Sequence, residues 1–191
     1  MRKRTYGVLV AGICLMLAGC QGGQTQETSA SETTIEATEE TKKEVNLEEV
    51  HTAVKEAYGE MYIPSMAYDD QVMNDLFGIG SDLYDSYIGE GPMMSIHVDC
   101  FVAIDAKEGK GEEVEELLNA YRTDLVENSM QYPMNVPKVN ASEVVRHDDY
   151  VFFVMLGTPS DEALESGEEE ALASAQENNQ IAIDVINGFF Q

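Results

Sequence analysis

His97 and Asp99 stand two residues apart where Ile96, Val98, Cys100, Val102 and Ile104 alternate with His97, Asp99, Phe101, Ala103 and Asp105. Strict alternation is the signature of a strand, and residues i and i+2 of a strand point the same way. An imidazole and a carboxylate would therefore share one face, the raw geometry of an acid/base pair or of a metal site. The same face suits solvent, because a half-buried antiparallel sheet needs one polar side, and nothing nearby in the sequence supplies further partners.

Other chemistry-bearing residues form no set. His51 and His147 are not spaced to place two ligands on one helical turn, so no preformed zinc site is indicated. His147 lies in the turn-like Arg146-His147-Asp148-Asp149, and His51 on a polar helix face, both as solvated residues. Asp69-Asp70, Asp82 with Asp85, and the acids from Asp105 to Glu116 lack the alternating acid, central glycine and terminal Glu of a calcium loop. Ser95, Ser129 and Ser160 lack the flanks of an activated serine. Gly78-Ile79-Gly80 and Gly109-Lys110-Gly111 are too short to cradle a nucleotide phosphate. Cys100, in an apolar strand, behaves as a small hydrophobe. Tyr58, Tyr62, Tyr68, Tyr84 and Tyr87 crowd the segment before this strand with Met61, Met66, Met93 and Met94, side chains that suit either a core or a recognition surface. Arg122 is one of few cations and is placed to pair with Asp124 or an acid on the sheet. Tyr84, Tyr87, His97, Asp99 and Arg122 are thus the candidate ligand-binding residues, with no catalytic residue, metal or cofactor implied.

The elements that must position them are legible from periodicity. Asn46 caps a helix from 47 to about 61 with the stripe Leu47, Val50, Val54, Ala57, Tyr58 and Met61. Asp69 or Asp70 caps a short helix through Leu76 and Phe77 that Gly78 and Gly80 end. Leu83, Tyr84, Tyr87 and Ile88 fit a further helical turn. After the strand, Val114, Leu117, Leu118, Tyr121 and Leu125 form a helix stripe behind an acidic first turn. Tyr132-Pro133 and Val136-Pro137 mark an irregular connection. Val144-Val145 and Tyr150 to Leu156 flank a turn at His147-Asp148-Asp149, a hairpin. From Ser160 the chain reads as helix, and its stripe Ile181, Val185, Ile186, Phe189 and Phe190 either closes the core or meets a larger membrane complex. The expected fold is α+β: helices on one face of a small antiparallel sheet made of one long strand and a hairpin.

The first twenty residues carry an address. Arg2, Lys3 and Arg4 precede a run of 11 apolar or small residues from Val8 to Ala18. That order reads as a signal peptide, and the run falls short of the roughly 20 residues that span a bilayer. Leu17-Ala18-Gly19-Cys20 resembles the bacterial lipobox. The resemblance implies cleavage between Gly19 and Cys20, a diacylglyceryl thioether on the Cys20 sulfur, and attachment by acyl chains without a spanning segment. Residues 1–19 are then the signal peptide, 20–45 an acidic Ser/Thr/Glu tether too polar to order itself, and 46–191 a single domain. With Cys14 removed and Cys20 lipidated, only Cys100 stays a free thiol. Loss of Arg2, Lys3 and Arg4 leaves 8 Lys and Arg against 36 Asp and Glu, a formal charge of −28. Such a surface argues against nucleic acid and favours solubility and cationic partners.

The Phe77-Gly78-Ile79 turn with Tyr87, the strand around Phe101 to Ile104, Arg122, Tyr132-Pro133, Val144-Val145 and Asp149-Tyr150-Val151 together resemble domain-of-unknown-function family 4358, uncharacterised lipoproteins of Gram-positive gut anaerobes. The likeness runs from about Val54 to Leu156. Members often carry a Glu in the first strand where this chain has Val98-Asp99-Cys100-Phe101. The resemblance implies a lipid-anchored extracytoplasmic protein with a compact α+β fold, and no active site. Anchor, tether and the absence of a catalytic set point to a binding or accessory module for an envelope protein, peptide or small ligand. The alternatives are an envelope-acting enzyme using His97 and Asp99 and a structural subunit of a membrane complex.

Overall fold

The computed structural model describes residues 44–191. The expected signal peptide, Cys20 and all but the last two residues of the expected tether lie outside the described residues.

Local sequence sets the helix ends. Helix α1 (Leu47–Tyr58) starts where the Asn46 side chain accepts hydrogen bonds from the Glu48 and Glu49 N–H groups, with both glutamates favourable at the positive end of the helix. A single 3-10 turn, Gly59–Met61, extends it. Helix α2 (Asp70–Phe77) is capped by the Asp69 carboxylate on the Val72 N–H and ends at Gly78 with φ 72°, a left-handed backbone that glycine adopts without cost. Helix α3 (Gly111–Asn128) carries Glu112 and Glu113 in its first turn. These three agree with the periodicity.

Among the described residues, five strands form one antiparallel sheet in the order β1-β2-β3-β5-β4, with β1 Met66–Ala67, β2 Tyr84–Gly91, β3 Cys100–Ala106, β4 Glu143–His147 and β5 Tyr150–Met155. The β4–β5 hairpin turns where expected, with Asp148 at φ 54°. The expected helical turn at Leu83 to Ile88 is instead strand β2. A register shift between Tyr84 and Ser86 resets the alternation, so that Tyr84 and Tyr87 pack into the same core. Two side chains three apart on one face imitate a helix.

Helices cover both faces of this sheet rather than one. On the first, Met73 and Phe77 of α2 and Val114 and Leu118 of α3 pack on Val102, Ile104 and Phe153. On the second, Val50 and Val54 of α1 meet Ala182 and Ile186 of α6 (Glu168–Phe189) over Phe101, Ala103 and Phe152. Strand β3 is therefore buried on both sides, and Phe101 is as inaccessible as Val102. The solvated face expected for His97, Asp99, Phe101 and Asp105 does not exist along the strand itself. The C-terminal stripe closes the protein's own core, as Ile186 is fully buried. Gly167 divides the expected single C-terminal helix into α5 (Asp161–Ser166) and α6.

The connection at 129–142 also differs from expectation, because Val136–Ala141 is helix α4. Pro137 stands in its first turn, where a missing N–H has no helical partner to lose.

Candidate functional site

Asp99 and Lys138 form an ion pair at the start of β3, and both are buried, with 0% and 4% of the residue exposed. Lys138 projects from α4, so the pair pins that helix to the central strand. The second carboxylate oxygen, Oδ1, has no hydrogen-bond partner among the described residues. His97 therefore does not bond to Asp99. It lies in the loop before β3, with its backbone N–H on the Met94 carbonyl. Buried Asn135 donates to the Ile96 carbonyl at 2.8 Å, and buried Asn179 joins the Ala141 carbonyl to the Leu156 N–H. One end of the sheet is thus stitched by buried polar groups. Lys138 was the missing partner of Asp99. Its one signal in the sequence was a lone cation set among Val136, Pro137 and Val139.

Outside these buried charges, two loops at the same end expose apolar side chains. Loop 92–99 and loop 129–135 are joined through Asn135, and they expose Met93, Met94, Ile96, Met130, Tyr132 and Met134, Met93 at 76%. Met66 is also exposed, paired with Gly91 beside them. The candidate Tyr and Met segment therefore divides. Tyr58 and Tyr84 are core, Tyr62, Tyr68 and Tyr87 are half-buried, and Met61, Met66, Met93 and Met94 all reach solvent.

The remaining candidates are not gathered there. Tyr84 and Tyr87 pack edge to face at 4.9 Å, and both hydroxyls donate to Asp70 Oδ1. Burial first, then that hydrogen bond, raises both phenols above their ordinary range. Tyr87 also borders an open cleft of ≈ 520 Å³ beside Asn46, Glu48, Glu49, Ser86 and Asp105. Among the described residues Arg122 pairs with no acid. Its guanidinium donates to the Ser142 and Asn140 carbonyls, satisfying the C-terminal end of α4. Lys55, Lys107, Lys110, Arg122, Lys138 and Arg146, all the cations of residues 44–191, each hold a protein carboxylate or carbonyl.

Two histidines expected in solvent have partners. His51 is 8% exposed, stacks on Phe101 at 5.7 Å and shares Glu90 with Tyr62, each bond 3.1 Å. It fills a slot of the α1 stripe between Leu47 and Val54, which periodicity would have shown. His147 stacks on Phe190 at 4.2 Å and meets Asn187 Oδ1 at 2.9 Å. Cys100 is buried, and burial pushes its thiol up to about 12, away from nucleophilic use at neutral pH. No group of three or more His, Cys, Asp or Glu able to hold a metal occurs among the described residues.

This geometry defines a helix–sheet–helix α+β domain in which the buried ionisable groups His51, Asp99 and Lys138 have protein partners and two loops at one end expose apolar side chains. The family model for a domain of unknown function, DUF4358, matches residues 57–156, more than half of the chain, and the protein belongs to that family. The match closes on Leu156, the residue just past β5. No curated protein and no solved structure matches the chain.

Proposed function

We propose that the protein is a lipid-anchored accessory module on the outer face of the cell membrane, which binds another envelope component and performs no chemistry itself. The observation that carries the reading is the exposed Met-rich end, formed by loops 92–99 and 129–135. Exposed apolar side chains clustered at one place are the usual mark of a contact surface. The Cys20 motif supports the membrane address, and the acidic segment after it would hold the domain a few nanometres from the lipid. The internal pairing of Asp99, His51, His147 and Arg122 supports binding over catalysis, because none is left as a free acid, base or anion clamp.

The test is chemical crosslinking and pull-down from intact cells with native protein and a Cys20→Ala control, reading proteins and small molecules by mass spectrometry. An envelope component enriched with native protein and lost with the control is the expected outcome. An empty result for both would overturn the reading and return weight to catalysis, with His97 and Asp99 the next residues to replace.

A further inference from the structure

We infer that the Met-rich end docks an uncharged, apolar segment of another envelope protein, a segment flanked by lysine or arginine. The inference rests on the accessory-module reading and names the partner's chemistry.

Residues 92–98 and 129–137 contain no Asp, Glu, Lys or Arg, although a quarter of the whole chain is charged. Sixteen residues at 25% would hold four. Charge depletion with methionine enrichment, four of the sixteen residues, is the composition of an interface centre. Unbranched, polarisable methionine adapts to partners of irregular shape. The face is also held in place rather than loosely collapsed. The buried Asp99–Lys138 pair and the Asn135–Ile96 bond fix the two loops to the sheet from beneath.

Charge selects among occupants. Glu127, in the last turn of α3, and Glu143, the first residue of β4, stand exposed at this end of the sheet, and the chain carries a net −25. Two exposed glutamates beside an apolar centre are complementary to an apolar segment with cationic flanks. A second copy would bring an equal negative charge to the contact. An anionic lipid surface would need lysines or arginines that these two loops lack. The described chain also begins at the other end of the sheet, where the Val45 N–H meets the Tyr150 hydroxyl at 3.1 Å. The Met-rich end therefore lies at the opposite end of the sheet from Val45.

The experiment is photo-methionine labelling of the full lipidated chain in intact cells, with sequencing of the crosslinked peptides. Buried Met73 and Met155 are internal controls. Crosslinks from Met93, Met94, Met130 and Met134 into a Lys- or Arg-flanked apolar segment of one envelope protein, well above the two controls, are expected. The triple variant M93Q, M94Q, M134Q, with an unchanged Tm, should cut the crosslinks made through Met130 about tenfold or more, as hot-spot truncation does. Crosslinks to phospholipid, to a second copy or to a segment without basic flanks would overturn the inference, as would an unaffected triple variant. A partner enriched by pull-down but joined through other residues would overturn it while leaving the accessory-module reading in place. No partner in either experiment would remove both.

Discussion

The two ends of the sheet invert one another. At the hairpin end, charge lies outside and aromatic rings inside. Arg146 meets Glu115 at the surface, while His147, Tyr150 and Phe152 gather around Phe190. The Asp149 carboxylate there accepts the Gly109 and Gly111 N–H groups at 3.0 Å each, tying the turn to the start of α3. At the opposite end a lysine and an aspartate are buried, and methionines face solvent. The hairpin end follows ordinary folding economy, in which exposed charges cost little and buried rings stabilise. The Met-rich end departs from it on both counts, and such departures gather where a protein meets something else.

Breaking the buried pair gives the largest expected effect. Lys138→Ala would leave Asp99 buried with no partner on either oxygen, and the expected loss is about 3–5 kcal/mol. Replacing both, Asp99→Leu with Lys138→Met, should restore most of the stability, because paired burial of charge is no better than a well-packed apolar pair. Arg146→Ala at the hairpin end should cost about 0–1 kcal/mol, since that pair is partly solvated. Urea denaturation of the three variants decides it, and equal losses for Lys138→Ala and Arg146→Ala would end the contrast.

The hairpin end has its own weak point. A Cβ on Gly111 would stand 2.2 Å from the Asp148 carbonyl oxygen and 2.8 Å from the Asp149 Cα. Both contacts are backbone, so the turn itself must move. Gly111→Ala should lower stability by about 1–3 kcal/mol, the usual cost of forced overpacking, read as a drop in Tm. A neutral result would show the hairpin end to be softer than its hydrogen bonds suggest.

A pH series tests the Met-rich end without altering its shape. The Cys100 thiol ionises near an ordinary 9.0 when unfolded and near about 12 when folded, because burial disfavours the thiolate and Asp99 beside it opposes a second negative charge. Its folded value is raised. The contribution is therefore fully present below about pH 9 and is lost as pH rises through 12. In that window Cys100 makes stability fall by up to about 1.4 kcal/mol per pH unit. Cys100→Ala should flatten the slope but not abolish it, since burial also raises Tyr58, Tyr62, Tyr68 and Tyr121. A thiol alkylated rapidly in folded protein at pH 8 would contradict the buried placement.

What the sequence showed and what it hid follow from the range of the signals. Asn46, Asp69, Gly78 and the His147-Asp148-Asp149 turn act within a few residues, and the structure has them where local chemistry placed them. Strand β2 was hidden because its register shift turns a two-residue period into a three-residue one. Helix α4 was hidden behind Pro133 and Pro137, which break most helices but are tolerated at a helix start. The Asp99–Lys138 pair spans 39 residues, and no local pattern reports such a contact. Alternation through residues 96–105 located the strand but not its burial. A second helical layer over the sheet is a tertiary fact, and it made Asp99 a core residue rather than a solvated one.

The smallest expected effect on stability separates the surface of the Met-rich end from its foundation. Met93→Gln, Met94→Gln and Met134→Gln remove no buried contact of consequence, and each should change stability by no more than about 0.5 kcal/mol. Lys138→Ala should disturb folding and docking together, whereas these three should leave folding intact and weaken docking alone. If the glutamine variants instead lowered stability as much as Gly111→Ala, the methionines would be serving the protein's own core, and the inversion between the two ends would vanish. Thermal denaturation of each single variant beside native protein gives the answer, and it comes before any partner is known.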